Sequence, residues 1–186
     1  MESQPKGVLL TLTILAAIGL SLLALLVLVN RRDETVSLNH EIQYDDFAFS
    51  VLAVRQANEV GRVGGTVKPR GDFYIVTLKI ANHAKRVDYN YKQDCAVLID
   101  RNGREYRHSS EGQSAVEATL SPAELCSAPI PAGQSCVTQV VFDVPAGVQA
   151  SQLRITFGAL ADIFDPVFSG RKRIALTPVT PPADTQ

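Results

Sequence analysis

Residues 7–29 are an uninterrupted apolar stretch, GVLLTLTILAAIGLSLLALLVLV, that contains no charged side chain. As an α-helix with a rise of about 1.5 Å per residue, this stretch would be about 35 Å long. That length is enough to cross a hydrocarbon core of about 30 Å. The apolar region of a cleaved signal peptide is shorter, about 7–15 residues, and no Ala-x-Ala cleavage pattern follows here. The stretch therefore predicts an uncleaved, single-pass membrane helix behind a short N-terminal tail, residues 1–6.

The charges that flank this stretch bear on its orientation. Arg31 and Arg32 follow it, whereas Lys6 precedes it. Counted on Lys and Arg alone, the positive-inside rule favours a cytoplasmic location for the residues after the helix. The difference is one residue, however, and the rule has little weight for a large translocated domain. The flanking charges therefore leave both orientations open.

The charge and aromatic content of the chain argue against one class of partner. The net charge is −1 and the chain has no Trp. A nucleic-acid-binding domain usually carries a basic excess, and proteins that bind single strands use aromatic side chains as stacking platforms. The composition therefore predicts no nucleic-acid partner.

Hydrophobic alternation with a period of two residues dominates the chain after the membrane stretch. The clearest strand is 73–81, FYIVTLKIA, in which Val76, Leu78 and Ile80 share one apolar face. The opposite face, which contains Phe73 and Ile75, is expected to grade into solvent. Near Val51 the apolar positions change parity, which indicates a β-bulge. Further strands are predicted at 42–54, 95–100, 105–106, 136–144, 153–157 and 167–176.

The connections between these strands differ in kind. Asn102-Gly103 lies between two β-prone runs, and such a pair is a strong signal for a hairpin in which both residues take positive φ. Residues 109–124 form a long polar connection with at most one helical turn, at 115–120. No amphipathic helix is predicted after the membrane stretch.

About seven short strands separated by frequent turns are typical of a β-sandwich. We predict a mainly β chain, an immunoglobulin-like antiparallel β-sandwich preceded by one N-terminal transmembrane helix. A small closed barrel is the alternative. The predicted segments are the tail 1–6, the transmembrane helix 7–29, a stalk 30–40, the sandwich domain 41–177 and a disordered, Pro-rich tail 178–186.

The three cysteines are Cys95, Cys126 and Cys136, and none lies in a Cys-x-x-Cys pair, so their spacing fits neither a zinc ribbon nor a thioredoxin-like motif. Cys126 and Cys136 flank a loop rich in Pro, Gly and Ser, which favours a disulfide between them. Two alternatives stay open, a pairing of Cys95 with either of the others and three buried free thiols.

One group of side chains in a polar segment is a candidate contact surface. Tyr89, Tyr91 and Lys92 lie in the polar segment VDYNYKQD, and tyrosine gives contact area at low cost in conformational entropy. We consider them a possible protein-contact patch. The alternative, cross-strand packing of the two tyrosines, is favoured.

Other residue groups each have a functional and a structural interpretation, and the structural one is favoured throughout. They are three histidines (His40, His83, His108), five aspartates that would have to converge to bind Ca²⁺ (Asp45, Asp46, Asp88, Asp94, Asp100), the tripeptide Arg70-Gly71-Asp72, and the basic run Arg171-Lys172-Arg173. No nucleophile elbow, phosphate-binding glycine loop or metal-ligand spacing occurs. We therefore predict no catalytic residue, no metal and no cofactor, and hence no enzyme.

Three segments in order carry a resemblance to a known family. They are YIVTLKIAN, LIDRNGREY and PAGQSCVTQVVFDVP. Together they resemble the telokin-like, immunoglobulin-like domains of unknown function found in bacterial exported and membrane-anchored proteins. The resemblance covers residues 42–176, and this chain departs from the common pattern in its three cysteines and its lack of a lipobox.

The resemblance implies a domain outside the cytoplasm, and the family offers no catalytic residues to carry over. We therefore expect a single-pass protein of the inner membrane with a periplasmic or extracellular binding module. The alternative is an accessory or structural subunit of a cell-envelope complex, with a protein partner. The ligand is not predicted.

Overall fold

The structure is a computed structural model, and it describes residues 6–29, 34–61, 65–121, 124–156 and 172–176. Two α-helices and nine β-strands lie in these ranges. The helices are α1 (Lys6–Val29) and α2 (Ser110–Glu117); the strands are β1 (Glu34–Val36), β2 (Ile42–Tyr44), β3 (Phe47–Ala57), β4 (Asp72–Asn82), β5 (Ala96–Asp100), β6 (Glu105–Tyr106), β7 (Ser135–Val144), β8 (Ala150–Ile155) and β9 (Lys172–Ala175).

Helix α1 contains the apolar stretch that begins the chain. Its side chains are described from residue 12 to residue 24, and they are exposed. Counting described residues only, no helix is both long enough and apolar enough to cross a membrane.

The strands form two sheets packed face to face. One sheet has the order β2-β3-β4-β7 and the other has the order β1-β9-β8-β5-β6. Buried apolar side chains from both sheets fill the space between them, including Phe49, Leu78, Phe142, Leu153 and Ile174. The prediction of a mainly β sandwich is confirmed, and the immunoglobulin-like assignment stays a prediction.

Strand β1 departs from the predicted domain boundaries. Residues 34–36 were expected in a stalk, but they pair in parallel with β9, with Thr35 opposite Arg173. The sandwich therefore begins before residue 41, and its pairing is not purely antiparallel. A strand of three residues is too short to show a clear alternation. Strands β1 and β2 both have this length, and for this reason the sheets contain more strands than the predicted seven.

The long strands follow the sequence pattern closely. Strand β3 pairs with β4, and the register shifts between Val51 and Ala53, so the predicted bulge is confirmed. Val76, Leu78 and Ile80 of β4 lie in the main core as predicted. The predicted strands thus match where the apolar alternation is long.

The outer face of β4 is buried, which corrects the prediction. Phe73 and Ile75 were expected to grade into solvent, but they are fully buried in a second, smaller core with Val116 and Val141. Helix α2 covers this face; the sequence predicted at most one helical turn, at 115–120, whereas the helix has eight residues and begins at Ser110. Ser109 caps its first turn by accepting a hydrogen bond from the N–H of Gly112 at 3.2 Å. Eight residues with a central glycine give too weak a helical period to recognise.

The hairpin between β5 and β6 forms, but its turn differs from the predicted one. Gly103 has a positive φ of 80°, whereas Asn102 is not among the residues with positive φ. The side chain of Asp100 organises the turn instead, because its Oδ1 accepts hydrogen bonds from the N–H of Asn102 at 2.7 Å and of Arg104 at 2.9 Å. The Tyr106 hydroxyl donates to its Oδ2 at 3.1 Å.

This turn should make stability depend on pH through Asp100. Desolvation raises the pKa of its carboxyl, but hydrogen bonds from Arg104, Asn102 and Tyr106 together lower that pKa below the ordinary 3.8. A group with a lowered pKa stabilises the fold above its unfolded value, and that contribution is lost as the pH falls through the folded value. We expect Asp100→Asn, which keeps the acceptor oxygen, to lower the melting temperature at pH 7. The difference from wild type should shrink below about pH 4, and a constant difference from pH 7 to pH 2 would contradict this account.

Candidate functional site

A groove of about 400 Å³ opens between the segment before β5, the end of α2 and the loop before β7. We call it the disulfide groove. Its lining residues are Tyr91, Lys92, Gln93, Glu117, Leu125, Cys126 and Ser127. Ligand pockets commonly have volumes of about 300–1,000 Å³, so the groove is large enough for a small molecule or a short peptide.

Asn82, at the end of β4, holds two walls of the groove together. Its side chain is fully buried. The amide nitrogen donates to the carbonyl of Val87 at 2.7 Å and of Ile130 at 2.9 Å, and its oxygen accepts from the N–H of Ala84 at 3.0 Å. This asparagine therefore joins the segment that leads to Tyr91 to the loop that contains the disulfide.

Tyr89 strengthens the same junction. Its backbone pairs with Ile130 through two hydrogen bonds, of 2.9 and 2.8 Å. Its ring stacks on Phe47 with centroids 4.2 Å apart and meets Phe49 edge to face at 6.2 Å. Tyr89 is thus half-buried and packed on the edge of the main core.

Cys126 and Cys136 are joined in a disulfide, with their Cα atoms 5.9 Å apart. Cys95 is a buried free thiol. The disulfide connects the groove wall at Cys126 to the first residues of β7. It therefore fixes one side of the groove to the four-stranded sheet.

Removal of this disulfide should destabilise the domain. In the chain-entropy model, a bridge that closes a loop of this length contributes roughly 2–3 kcal/mol. We expect the double variant Cys126→Ser/Cys136→Ser to lose about that much free energy of unfolding, measured by denaturant titration. A reducing agent should lower the midpoint of the wild type and leave that of the double variant unchanged. An equal shift in both proteins would show that the bridge is not the cause.

Tyr91 and Cys95 form a buried, uncharged pair under the groove. The Tyr91 hydroxyl oxygen is buried, and the Cys95 thiol is its neighbour. Burial raises its pKa well above the ordinary value, and the neighbouring Cys95 adds to the shift. Burial likewise raises the pKa of the Cys95 thiol to about 12. Both groups are therefore protonated at neutral pH, and Cys95 is a poor nucleophile.

Glu117 is the acidic group of the groove. Its Oε1 accepts from the Gln113 side-chain amide at 3.0 Å and from the side-chain amide of Gln93. Both donors are neutral side-chain amides. Lys92, in the segment before β5, is exposed. The groove therefore presents one charge of each sign.

The predicted contact residues do not form an exposed tyrosine patch. Tyr89 and Tyr91 are half-buried against the main core, and only Lys92 is exposed. This arrangement corresponds to the packing alternative for the two tyrosines. Tyr91 and Lys92 nevertheless line the same groove as Cys126, so two separately predicted features meet at one place.

The other sequence candidates are used by the fold or lie apart. Among the described residues no three of His, Cys, Asp and Glu are grouped so that they could hold a metal ion. In the Arg70-Gly71-Asp72 tripeptide, a Cβ on Gly71 would lie 2.2 Å from the N of Ala146, so this turn is packed against the loop after β7. In the basic run, Lys172 lies 3.7 Å from Glu34, and Arg171 lies outside the described residues.

The family model that matches residues 36–171 is a domain of unknown function, DUF4352. The chain belongs to this family. Among curated proteins, none matches the chain. The matched region, which we call the DUF4352 domain, extends from the last residue of β1 almost to β9. It includes every residue that lines the disulfide groove.

The domain is similar to solved structures of other proteins, one of which has a TM-score above 0.5. A secreted protein from Mycobacterium tuberculosis, MPT63, is 16% identical, with a TM-score of 0.54 over 79% of this chain and 98% of its own. The yjhA protein from Bacillus subtilis is 14% identical, with a TM-score of 0.49 over 76% and 98% of the two chains. An uncharacterized β-sandwich protein from Clostridium difficile is 11% identical, with a TM-score of 0.48 over 80% and 97%. The first of these supports the sandwich fold.

Sequence reasoning missed four of the groove residues: Gln93, Glu117, Leu125 and Ser127. They carry no motif, and they come together only because α2 packs on the outer face of β4 and the disulfide loop folds back beside it. Recognition of α2 from its Ser109 cap and the Glu111 two residues later would have been the available signal. It would have placed Glu117 at the end of a helix.

Proposed function

We propose that this chain is a non-enzymatic binding or interaction module, anchored by a single membrane helix, with its immunoglobulin-like sandwich outside the cytoplasm. The observation that carries the proposal is the bond between Cys126 and Cys136. Disulfides form and persist in oxidising compartments such as the periplasm and the cell exterior. The fold is compatible with such a location, since MPT63 is described as a secreted protein.

The anchoring part of the proposal is supported by the full sequence of residues 7–29, of which the structure describes the side chains only from residue 12 to residue 24. This stretch has no charged side chain and has the length that a bilayer core requires. Arg31 and Arg32 alone would favour a cytoplasmic domain. The disulfide argues for the opposite side, and we give it more weight because a single-residue difference in flanking charge is a weak determinant.

A binding role is supported by the chemistry of the disulfide groove. It combines an acidic, a basic and a hydroxyl group with apolar surface from Leu125 and the disulfide. Its nearest thiol, that of Cys95, has a pKa raised to about 12 by burial, so it is not activated for nucleophilic attack. The arrangement therefore suits recognition better than covalent chemistry.

The test is to locate the domain in cells that express the full chain. We expect protease added to spheroplasts with a sealed inner membrane to degrade the sandwich, and alkaline carbonate to leave the chain with the membranes. A variant that lacks residues 7–29 serves as the control for extraction. Protection of the domain until the inner membrane is lysed would overturn the proposed topology.

The state of the cysteines gives a second, independent readout. The chain has three cysteines, of which the proposal leaves one reduced. After denaturation, a maleimide-polyethylene glycol reagent should modify one thiol per chain without reduction and three after reduction. Modification of all three before reduction would contradict an oxidising location.

A further inference from the structure

The two charged side chains of the disulfide groove are not paired with each other. Lys92 and Glu117 both line it, yet neither forms an ion pair within 4.0 Å among the described residues. Other acidic and basic groups at the surface of the domain do pair, as Glu105 does with Arg154 at 2.5 Å. The groove thus holds a positive and a negative group that do not form an ion pair with each other.

The carboxylate of Glu117 is held in place by neutral donors. The amides of Gln113, at 3.0 Å, and Gln93 both donate to one oxygen, Oε1. These contacts orient the side chain, and Oε2 is the oxygen to which a charged donor can bind. Hydrogen bonds to an ionised group are stronger than those between neutral groups, so a ligand ammonium suits this position.

We propose that the disulfide groove binds a zwitterion of amino-acid chemistry, a primary ammonium and a carboxylate on one small molecule. The ammonium binds Glu117, and the carboxylate binds Lys92. Leu125 and the disulfide face an apolar side chain of the ligand. A simple anion is repelled by Glu117 and a simple cation by Lys92, so each charge of the groove discriminates against one class.

Two sources share this chemistry, a free amino acid and the ends of a short peptide. They differ in the distance between the two charges, because each extended residue adds about 3.5 Å. The groove, at about 400 Å³, holds either. This inference rests on the binding role proposed above but not on the membrane topology, so it is tested on purified protein and fails separately from the topology.

The experiment is titration calorimetry with the purified full chain in detergent. The probes are leucine, leucyl-leucine, and two blocked compounds, N-acetyl-leucine and leucinamide, each of which lacks one of the two charges. We expect one of the zwitterions to bind at least tenfold more tightly than either blocked compound. Preference for leucine or for leucyl-leucine identifies the source. No binding of either zwitterion, or equal binding of the blocked compounds, would overturn the proposal.

Charge variants assign the effect to the groove. Lys92→Gln and Glu117→Gln should each weaken zwitterion binding at least tenfold, whereas Lys85→Gln and Glu111→Gln, at exposed positions outside the groove, should leave it unchanged. Should Glu117→Gln fold poorly, Lys92→Glu decides the matter, because a groove with two negative charges should prefer leucinamide. Unchanged selectivity in Lys92→Glu would show that the groove is not the site.

Discussion

Phe142→Asp is expected to abolish the cooperative unfolding transition of the sandwich. Phe142 is fully buried between the two sheets, and its neighbour across the strand pair is Tyr74. An aspartate there loses the apolar contacts of the ring and places a carboxyl group where no cation can reach it. Such changes cost more than about 4 kcal/mol, a large part of the 5–15 kcal/mol that stabilises an ordinary domain.

The matched control lies on the same strand. Val137 of β7 is 39% exposed, so Val137→Asp adds the same charge to the same strand at the surface. We expect circular dichroism of the full chain in detergent to show a cooperative thermal transition for Val137→Asp and none for Phe142→Asp. Similar melting of both variants would show that the apolar face of β7 is not the centre of the core. Val76→Asp on β4, also fully buried, should behave as Phe142→Asp does.

The parts of the fold that the sequence predicts are those in which one strand carries its own signal. Strands β4 and β7 are long, and their apolar residues alternate over many positions. Such alternation specifies a strand and its buried face without knowledge of its neighbours. The bulge near Val51 is also local, because a change of parity along one strand is visible in the sequence.

The parts that the sequence does not predict depend on contacts between distant segments. Strand β1 is three residues long and exists because β9 lies beside it. Helix α2 lies over Phe73 and Ile75, whose burial on the outer face of β4 has no local cause. The turn at Asn102 is governed by the Asp100 side chain, and this hydrogen bonding is not encoded in the Asn-Gly pair alone.

The contrast between local signals and contacts of distant segments also explains which residues of the candidate site could be predicted. The favoured pairing of Cys126 with Cys136 follows from a short loop that the sequence shows directly. Tyr91 and Lys92 were recognisable as unusual side chains in a polar segment. Glu117 was not recognisable, because its role depends on the position of α2. The groove is therefore a product of tertiary packing. In the sequence its residues are unconnected features.

Replacement of Gln113 should produce the second large effect. Its side chain makes the hydrogen bonds that a neighbouring strand would otherwise make with the open edge of β7. Its amide nitrogen donates to the carbonyl of Gln139 at 2.9 Å, and its oxygen accepts from the N–H of Val141 at 3.0 Å. Gln113 is only 3% exposed. Gln113→Leu keeps much of the volume but leaves both backbone groups of β7 without a partner. Each such group costs about 1–3 kcal/mol, so for the two groups we expect a loss of about 2–6 kcal/mol in the free energy of unfolding.

Amide hydrogen exchange locates this effect and separates it from a general loss of packing. In Gln113→Leu, exchange at Val141 should become faster relative to exchange at Val140, whose N–H faces β4 rather than α2. Ser114→Ala, one residue further along the exposed side of α2, is the control, and its unfolding midpoint should stay near that of the wild type. A Gln113→Leu variant as stable as Ser114→Ala would show that water replaces the side-chain amide at this edge. In that case α2 would be held by the second core and by the hydrogen bond of 2.7 Å from the Ser109 N–H to the Val141 carbonyl, and Glu117 would keep its place at the groove without Gln113.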